Sequence, residues 1–266
     1  MRSAPLLQTS KLTKHFGGLA AVAELDLEIY PGEILGLIGP NGAGKTTVFN
    51  MLSGFLAPTF GSIRYKEDEI GGRKPYELAR YGIVRTFQLT TVFGDMTVLD
   101  NVLLGGHLHA NTRPWQVLFK RPAIPKAEQE EAWKTLEITG LTPFATTLAK
   151  NLPHGQQRSL GIAITLAAHP TLLLLDEPVA GMTAEEKGRV MDLVRSIRDQ
   201  EVTVLLVEHD MRTVMGTCER IVVLNFGRKI AEGTPEEIRT HPEVIQAYLG
   251  ADFDTDPNQG GRAFRG

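Results

Sequence analysis

The stretch of sequence that decides the fold reads Gly39-Pro40-Asn41-Gly42-Ala43-Gly44-Lys45-Thr46-Thr47. It follows the apolar run 34–38 and precedes the run 48–52, and its spacing G-x-x-x-x-G-K-T predicts a buried strand, a glycine-rich turn and a helix start. The backbone N–H groups of such a turn, helped by the positive end of the helix dipole, hold phosphate oxygens. In this pattern Lys45 reaches the β- and γ-phosphates and Thr46 is a ligand of Mg²⁺. We therefore expect a nucleoside triphosphate here, rather than a turn whose lysine is only solvated.

Composition and charge limit the class of protein. The chain has 266 residues, of which 42% are hydrophobic, and this suits one large or two small domains. Its 28 basic and 31 acidic side chains give a net charge of −3, so no global field favours nucleic acid or an anionic membrane. Cys218 is the only cysteine, which excludes an internal disulfide and fits a reducing compartment. No apolar run approaches the ~20 residues that span a bilayer, so we expect a cytoplasmic protein that reaches a membrane through a partner.

The remainder of the chain predicts an α/β fold. Residues 6–30 alternate apolar and polar side chains, as half-exposed antiparallel strands do. Residues 89 to about 158 carry mainly helical patterns, which predicts an inserted helical subdomain without strands of its own. Thr183 and Glu186 form a capping-box pattern in front of an amphipathic helix. Residues 251–266 are polar and rich in Gly, Asp and Arg, and we expect them to be a disordered tail.

Two acidic residues follow a continuous apolar run. The run 171–175 is typical of a central parallel strand covered on both faces, and it ends at Asp176-Glu177. Because α/β folds bind ligands at the carboxyl ends of such strands, we expect Asp176 to hold the hydration shell of Mg²⁺. Glu177 is then placed to polarise an attacking water as a general base. The alternative interpretation is a solvated acidic turn in front of Pro178.

Two further polar residues end predicted strands. His209 comes after the strand 202–207 and, in a parallel sheet, can reach the same edge as Glu177 and contact the γ-phosphate. A lone histidine at a strand end is more often a surface residue, so this prediction depends on its neighbours. Gln88 follows the strand 83–87, and its amide oxygen can ligate Mg²⁺. Since the next residues enter the helical insertion, we expect Gln88 to couple nucleotide occupancy to movement of that insertion.

A second anion site and an aromatic side chain complete the set of candidates. Leu152-Pro153-His154-Gly155-Gln156-Gln157-Arg158 stands directly before a helix, and a loop with glycine at a helix N-terminus binds anions. Because the first loop already holds the phosphates, this second site most simply faces the nucleotide of another subunit. Phe16 precedes the flexible pair Gly17-Gly18 and is suited to stacking on a flat base, although a Phe beside a strand is more often a core residue.

In order and spacing these elements resemble the Walker A, Q-loop, signature, Walker B and H-loop motifs of ABC-type ATPases, over residues 6 to about 250. The resemblance implies a P-loop NTPase (RecA-like) core with an N-terminal antiparallel β-subdomain, over residues 6–88 and 159–250. An α-helical subdomain with the signature would be inserted at residues 89–158. It also implies that Phe16 stacks on adenine.

By the same resemblance, two molecules of ATP, with Mg²⁺, would be held in a head-to-tail dimer. Each would lie between one subunit's glycine-rich loop and Leu152, Gly155 and Gln156 of the other subunit's signature. The second ATPase subunit could be identical or different.

Shorter stretches resemble a narrower group, the ATP-binding subunits of branched-chain amino acid importers. They are residues 16–22, 85–88, 155–158, 177–182 and 247–250. The resemblance implies an ATPase that works with permease subunits and, indirectly, a solute-binding protein, and that drives uptake of branched-chain or related amino acids. Urea, amide and lipopolysaccharide transport ATPases share many of these marks and remain alternatives.

Two other classes of function also stay open. A soluble ABC ATPase acting on DNA or ribosomes is disfavoured by the single cassette and by the lack of a coiled-coil insertion or a basic face. A small-molecule kinase would leave the signature and His209 unexplained. We therefore expect no nucleic-acid partner.

Two positions depart from the family pattern. Pro153 and His154 replace the usual Ser and Gly of the signature, so the hydroxyl that would contact the opposing γ-phosphate is missing. The Gly155 amide and the helix dipole remain, and we expect a signature that is weakened but not abolished. Thr183 stands where many relatives carry Asp. We hypothesise that the site completed by this signature is the less efficient one of an asymmetric pair.

Overall fold

The computed structural model describes residues 4–86, 92–106 and 125–253. By its contacts the chain divides into two compact units. The first unit combines Met1–Leu78 with Thr203–Gly266, and the second is Ala79–Val202. No helix in the described parts of the chain is both long enough and apolar enough to cross a membrane.

The described residues form both strands and helices. The strands are β1 Leu7–Phe16, β2 Leu19–Ile29, β3 Ile34–Ile38, β4 Phe60–Tyr65, β5 Asp68–Glu69, β6 Ile83–Arg85, β7 Leu172–Asp176, β8 Thr203–Val207, β9 Arg220–Asn225 and β10 Arg228–Gly233. The helices are α1 Lys45–Leu52, α2 Pro75–Arg80, α3 Val98–Gly105, α4 Lys126–Ile138, α5 His154–Leu166, α6 Ala184–Arg198, α7 Met211–Thr217, α8 Pro235–Thr240 and α9 Pro242–Phe253. Short 3-10 turns lie at Thr142–Phe144 and Ala149–Asn151. Helix α9 continues to Phe253, past the start of the predicted tail, and residues 254–266 lie outside the described residues.

An antiparallel sheet begins the first unit, in the order β2-β1-β4-β5. Leu7 of β1 pairs with Ile29 of β2 on one side and with Tyr65 of β4 on the other. In β2, Leu25, Leu27 and Ile29 are buried while the residues between them are more exposed, which explains the alternating sequence. The predicted β-layer in front of the glycine-rich loop is therefore present.

The glycine-rich loop leaves the central strand of a parallel arrangement in the first unit. Strand β3 pairs in parallel with β8 and with β9, and β10 is antiparallel to β9. Every residue of β3 and of β8 is buried, as expected for strands covered on both faces. A Cβ on Gly36 would lie 3.0 Å from Cys218 Sγ and 3.1 Å from Val214, so the α7 segment packs closely on β3. Burial raises the pKa of the Cys218 thiol to about 12, so this cysteine stays protonated.

Arg220 is a buried cation that joins the two sheets of the first unit. Its guanidinium donates to Glu33 Oε1 at 2.6 Å, to the Glu28 carbonyl at 2.6 Å and to the Glu232 carboxylate. It also lies 5.0 Å from the centre of the Tyr30 ring. Glu28 belongs to β2 and Glu232 to β10, so one side chain ties both layers together. Removal of one of these partners would lower the free energy of unfolding, because the buried charge would then be only partly paired.

The second unit combines the parallel pair β6 and β7 with a helical core. The core residues are Val98, Val102, Ala132, Leu136, Leu141, Ala145, Ala149, Leu152, Leu160, Ala163 and Ala167. Helices α3 and α5 touch through their backbones, because a Cβ on Gly105 would lie 2.3 Å from the Ile164 carbonyl oxygen. Among the described residues of the helical stretch, extended pairing is limited to an isolated bridge between Thr97 and Leu148.

Candidate functional site

The glycine-rich loop is shaped by close backbone packing within the first unit. Gly39 has φ 154°, and a Cβ there would lie 2.2 Å from the Leu224 carbonyl oxygen. Gly44 has φ 99°, and its Cβ would lie 2.6 Å from the Ala21 carbonyl oxygen. These positions therefore exclude any side chain, both by conformation and by space. The Gly227 N–H also donates to the Ala43 carbonyl at 3.0 Å, which holds the loop against the β9–β10 turn.

The loop leads into a helix start that suits an anion. Helix α1 begins at Lys45, has no side-chain cap and carries no acid in its first turn. Lys45 Nζ donates to the Gly39 carbonyl at 2.7 Å and to the Pro40 carbonyl at 3.0 Å. Thr46 is exposed and Thr47 is half-buried at the start of this helix. An uncapped, positively polarised helix end with a lysine held beside it fits a polyphosphate.

The other candidates of the first unit lie at strand ends. Phe16 ends β1 and is 51% exposed, with Lys14 Nζ 5.5 Å from its ring centre, so it is not a core residue. His209 follows β8, and its side chain is 61% exposed. Glu208 before it is 1% exposed, and Oε2 of its carboxylate lies 3.8 Å from His209 Nδ1. The sequence pattern assigns Glu208 no role, although a charged residue directly after a strand without other charges is a signal of a buried carboxylate.

Asp176 and Arg85 form an ion pair in the second unit. Asp176 ends β7 and its side chain is 3% exposed, while Arg85 ends the neighbouring strand β6. Arg85 Nη2 donates to Asp176 Oδ2 at 3.0 Å. Burial raises the pKa of Asp176, and Arg85 opposes this effect by stabilising the carboxylate. The sequence interpretation used Arg85 only as a family mark and missed this contact. The available signal was a basic residue inside the short apolar strand β6.

Glu177 lies in a strained turn directly after β7. It is a half-buried residue with φ 46°, a left-handed conformation that non-glycine residues seldom adopt. The Ala180 N–H donates to the Glu177 carbonyl at 3.2 Å and the Met182 N–H donates to the Val179 carbonyl at 3.2 Å. Such backbone strain is held by the surrounding structure and often marks functional positions.

The signature segment starts helix α5 of the second unit. Pro153 is the N-cap residue, no side chain caps the helix, and its first turn has no acid. Gly155 and Gln156 are half-buried in that first turn. Leu152 is 5% exposed and belongs to the helical core, so its side chain serves packing. The Leu152 carbonyl accepts a hydrogen bond from Gln157 Nε2 at 3.0 Å.

The structure places the candidates in two units. The glycine-rich loop, Phe16 and His209 belong to the first unit, and Asp176, Glu177 and the start of α5 belong to the second. That these groups share one nucleotide stays a prediction, as do the subdomain boundaries drawn from the sequence. Gln88 lies outside the described residues.

Comparisons with known proteins agree on one family. The family model for the ABC transporter matches residues 22–180, and the model described as branched-chain amino acid ATP-binding cassette transporter matches residues 228–254. The chain is 47% identical to the high-affinity branched-chain amino acid transport ATP-binding protein BraF of Pseudomonas aeruginosa. That match covers 93% of this chain and 99% of the relative.

Solved structures with this fold include an ATP-binding cassette of an ABC transporter in its ADP conformation. It matches with a TM-score of 0.82 and 30% identity, and covers 93% of this chain and 100% of that chain. A dimeric cassette in a post-hydrolysis state, bound to ADP and Pi, matches with a TM-score of 0.70 and 25% identity. It covers 86% of this chain and 98% of that chain.

Proposed function

The chain belongs to the ATP-binding subunits of ABC transporters, and from this we propose that it hydrolyses ATP to drive uptake of branched-chain amino acids. The observation that carries the proposal is the 47% identity to BraF over 99% of that relative's length. The match of residues 228–254 to a branched-chain amino acid transport model supports the same substrate class. The lipopolysaccharide alternative has weaker support, because the chain is 35% identical to the lipopolysaccharide export system ATP-binding protein LptB of Acidithiobacillus ferridurans.

The first unit binds the nucleotide in this proposal. N–H groups of the glycine-rich loop and of the first turn of α1 donate to the phosphates. Lys45 exchanges these carbonyl acceptors for anionic phosphate oxygens, so that both partners of the hydrogen bond carry charge. Phe16 offers an exposed ring for the adenine, and His209 is positioned to contact the γ-phosphate.

The second unit supplies the hydrolytic groups. Glu177 accepts the proton of the attacking water, a role that fits its strained position directly after a buried strand. Asp176 and the Thr46 hydroxyl of the first unit offer the hard oxygen donors that Mg²⁺ prefers, as does Gln88. Bound Mg²⁺ would neutralise charge on the phosphates. Arg85 keeps the buried Asp176 carboxylate paired and oriented.

The proposed assembly places this subunit on the inner face of the membrane through its partners. A second ATPase subunit, identical or different, would close head-to-tail over two ATP molecules, and the dimeric cassette bound to ADP and Pi supports this arrangement. The start of α5, with Leu152, Gly155 and Gln156, would then face the partner's nucleotide. Permease subunits would receive the movement, and a solute-binding protein would deliver the amino acid to them. Two-state closure by ATP and reopening after hydrolysis supplies the work.

We further propose that the two composite sites are unequal. Pro153 occupies the N-cap of α5, so no side-chain hydroxyl is present at this position. The site completed by this helix therefore lacks one donor to the γ-phosphate. A different ATPase would supply the other half of the pair. The test places Glu177→Gln in one subunit at a time and measures the remaining hydrolysis. Equal rates from the two sites would contradict the asymmetry.

The transport function is tested by purification of the chain with its membrane partners. Membrane proteins that co-purify identify the permease, and ATP hydrolysis by that complex is then measured with leucine, isoleucine or valine and the solute-binding protein. We expect stimulation by a branched-chain amino acid and none when Glu177→Gln replaces the wild-type chain. Stimulation by urea, by an amide or by lipopolysaccharide instead would overturn the substrate class but leave the ATPase assignment intact.

A further inference from the structure

One carboxylate in the second unit touches both segments that depart from the family pattern. It belongs to Glu186, which lies in the first turn of α6. One departing segment is the turn that ends at Thr183, and the other is the start of α5, where Pro153 and His154 precede Gly155. Glu186 has no part in the ATP-binding role proposed above for this helix start.

Glu186 holds the turn at Thr183 through a capping box. The Thr183 N–H and the Thr183 hydroxyl both donate to Glu186 Oε2, each at 2.9 Å. In return the Glu186 N–H donates to Thr183 Oγ1 at 3.4 Å. These hydrogen bonds are the main reason why the pKa of Glu186 is lower than usual, so the side chain is an anion at neutral pH.

The second oxygen of the same carboxylate lies beside the signature helix. A Cβ built on Gly155 would be 3.3 Å from Glu186 Oε1 and 3.8 Å from Glu186 Cδ. Helix α5 has neither a side-chain cap nor an acid of its own at this end. A negative charge near the N-terminus of a helix stabilises that helix. For α5 this charge comes from Glu186 of a different helix, α6. Gly155 and Glu186 also line one cleft of about 450 Å³.

Thr183 is connected in turn to the proposed general base. Glu177 and Thr183 are the two ends of one compact turn, held by the backbone hydrogen bonds from Ala180 to Glu177 and from Met182 to Val179. The backbone of this turn therefore joins Glu177 to Thr183, and the Glu186 carboxylate links Thr183 to the start of α5, all within one unit.

We propose that Glu186 is a positioning residue that braces the start of the signature helix against the turn carrying Glu177. The brace replaces the N-cap that Pro153 does not provide, and it keeps Gly155 oriented toward the nucleotide of the partner subunit. The inference rests on the proposed head-to-tail function for its consequence, but the brace itself is a property of this chain.

The chain contains a matched control. Helix α8 of the first unit starts with the same capping box, in which the Thr234 N–H donates to Glu237 Oε2 at 2.7 Å and the Glu237 N–H donates to Thr234 Oγ1 at 3.4 Å. Glu237 therefore has the same capping chemistry as Glu186 without a neighbouring signature. Substitutions at Glu237 measure what the loss of a capping box does by itself.

The first experiment is hydrogen–deuterium exchange of the full-length chain. Glu186→Gln keeps a side-chain acceptor for Thr183 but removes the charge beside Gly155. We expect exchange in peptides covering residues 152–160 to become about two- to fivefold faster in this variant, with α6 itself unchanged. Glu186→Ala should loosen the starts of both α5 and α6, and Glu237→Gln and Glu237→Ala should leave residues 152–160 unchanged. Wild-type exchange at residues 152–160 in both Glu186 variants would overturn the brace.

The second experiment tests the consequence for the composite site. In a Glu177→Gln background, which blocks hydrolysis, sedimentation measures the ATP concentration that drives association of two chains. We expect Glu186→Gln to raise that midpoint about two- to fivefold, with unchanged binding of a fluorescent ATP analogue to the single chain and no effect of Glu237→Gln. An unchanged midpoint, despite faster exchange at residues 152–160, would overturn the positioning role.

Failure of the proposed function looks different from failure of the inference. If the Glu177→Gln chain binds no ATP, the proposed nucleotide site is contradicted. If it binds ATP but does not associate with a second copy of itself, association is measured with the ATPase subunit that co-purifies with it, and failure of that association contradicts the composite site. The exchange experiment needs neither nucleotide nor association, and it still decides whether Glu186 braces the start of α5.

Discussion

The glycine-rich loop of the first unit and the start of the signature helix in the second unit are both helix N-termini proposed to face phosphate, yet they are built differently. The loop is held by backbone contacts, with carbonyl oxygens of Leu224 and Ala21 filling the space next to Gly39 and Gly44. The start of α5 is held by side chains, since Leu152 packs in the helical core and Glu186 lies beside Gly155. A backbone-built site tolerates almost no substitution, whereas a side-chain-built site can drift from the family pattern, as Pro153 and His154 have done.

The largest effect should come from a side chain of the second unit, that of the proposed general base Glu177. Glu177→Gln should slow ATP hydrolysis by about 10²–10⁴-fold and leave ATP binding unchanged, because loss of a general base costs this much while the glycine-rich loop stays intact. Steady-state hydrolysis and binding of a fluorescent ATP analogue measure the two effects. Glu185→Gln, at an 82% exposed neighbour in α6, is the control and should behave like wild type. Wild-type hydrolysis by Glu177→Gln would show that the base is another group.

A methyl group added at the loop should have the next largest effect. Gly39→Ala should lower the free energy of unfolding by roughly 3 kcal/mol or more, because its Cβ would overlap the Leu224 carbonyl and its φ is unfavourable for alanine. Thermal unfolding with and without ATP measures this, and the stabilisation by ATP should disappear. Gly181→Ala separates the two causes, since Gly181 has φ 76° but nothing within 4 Å of its Cβ. It should cost only about 1–2 kcal/mol.

Replacement of Lys45 tests how much of the loop's affinity for ATP comes from a side chain. Lys45→Ala should weaken ATP binding by roughly 1.5–3 kcal/mol, about ten- to a hundredfold, because a charge-assisted hydrogen bond is lost. Titration calorimetry measures the change, with Lys150→Ala, at an exposed lysine paired with Asp95, as the control. Unchanged affinity would mean that the backbone N–H groups alone bind the phosphates.

The smallest effect should come from the same methyl group placed at the side-chain-built site. Gly155→Ala should change the free energy of unfolding by less than about 1 kcal/mol, because alanine favours the helix and the nearby Glu186 carboxylate can move. Denaturant unfolding of Gly155→Ala, alone and combined with Glu186→Ala, measures the interaction between the two positions. If Gly155→Ala lowered the free energy of unfolding as much as Gly39→Ala, the contrast between the glycine-rich loop and the start of α5 would be contradicted.

Much of the local structure could be predicted from short stretches of sequence. Thr97 caps α3, Thr183 and Glu186 form their capping box, and the apolar runs at β3, β7 and β8 are fully buried strands. Each of these features depends on residues a few positions apart, so the necessary information lies within one window of sequence. The family was also predicted correctly, because the order of its motifs is preserved along the chain.

The contacts that orient the site could not be predicted in this way. Arg85 and Asp176 are separated by 91 positions and meet because β6 pairs with β7. Gly155 and Glu186 meet because α5 and α6 start side by side, which no periodicity in either helix encodes. Arg220 likewise donates hydrogen bonds to Glu28, Glu33 and Glu232, which lie in separate strands and turns.

The sequence by itself determined where a phosphate loop forms, which helix ends are capped, and to which family the chain belongs. Glycine, proline and capping residues act on the backbone next to them, so their consequences are local. Only the tertiary structure decided that Asp176 is paired with Arg85, that Leu152 is a core residue, and that one carboxylate at Glu186 serves both Thr183 and Gly155. These results depend on which elements pack together, and packing is a property of the folded chain as a whole.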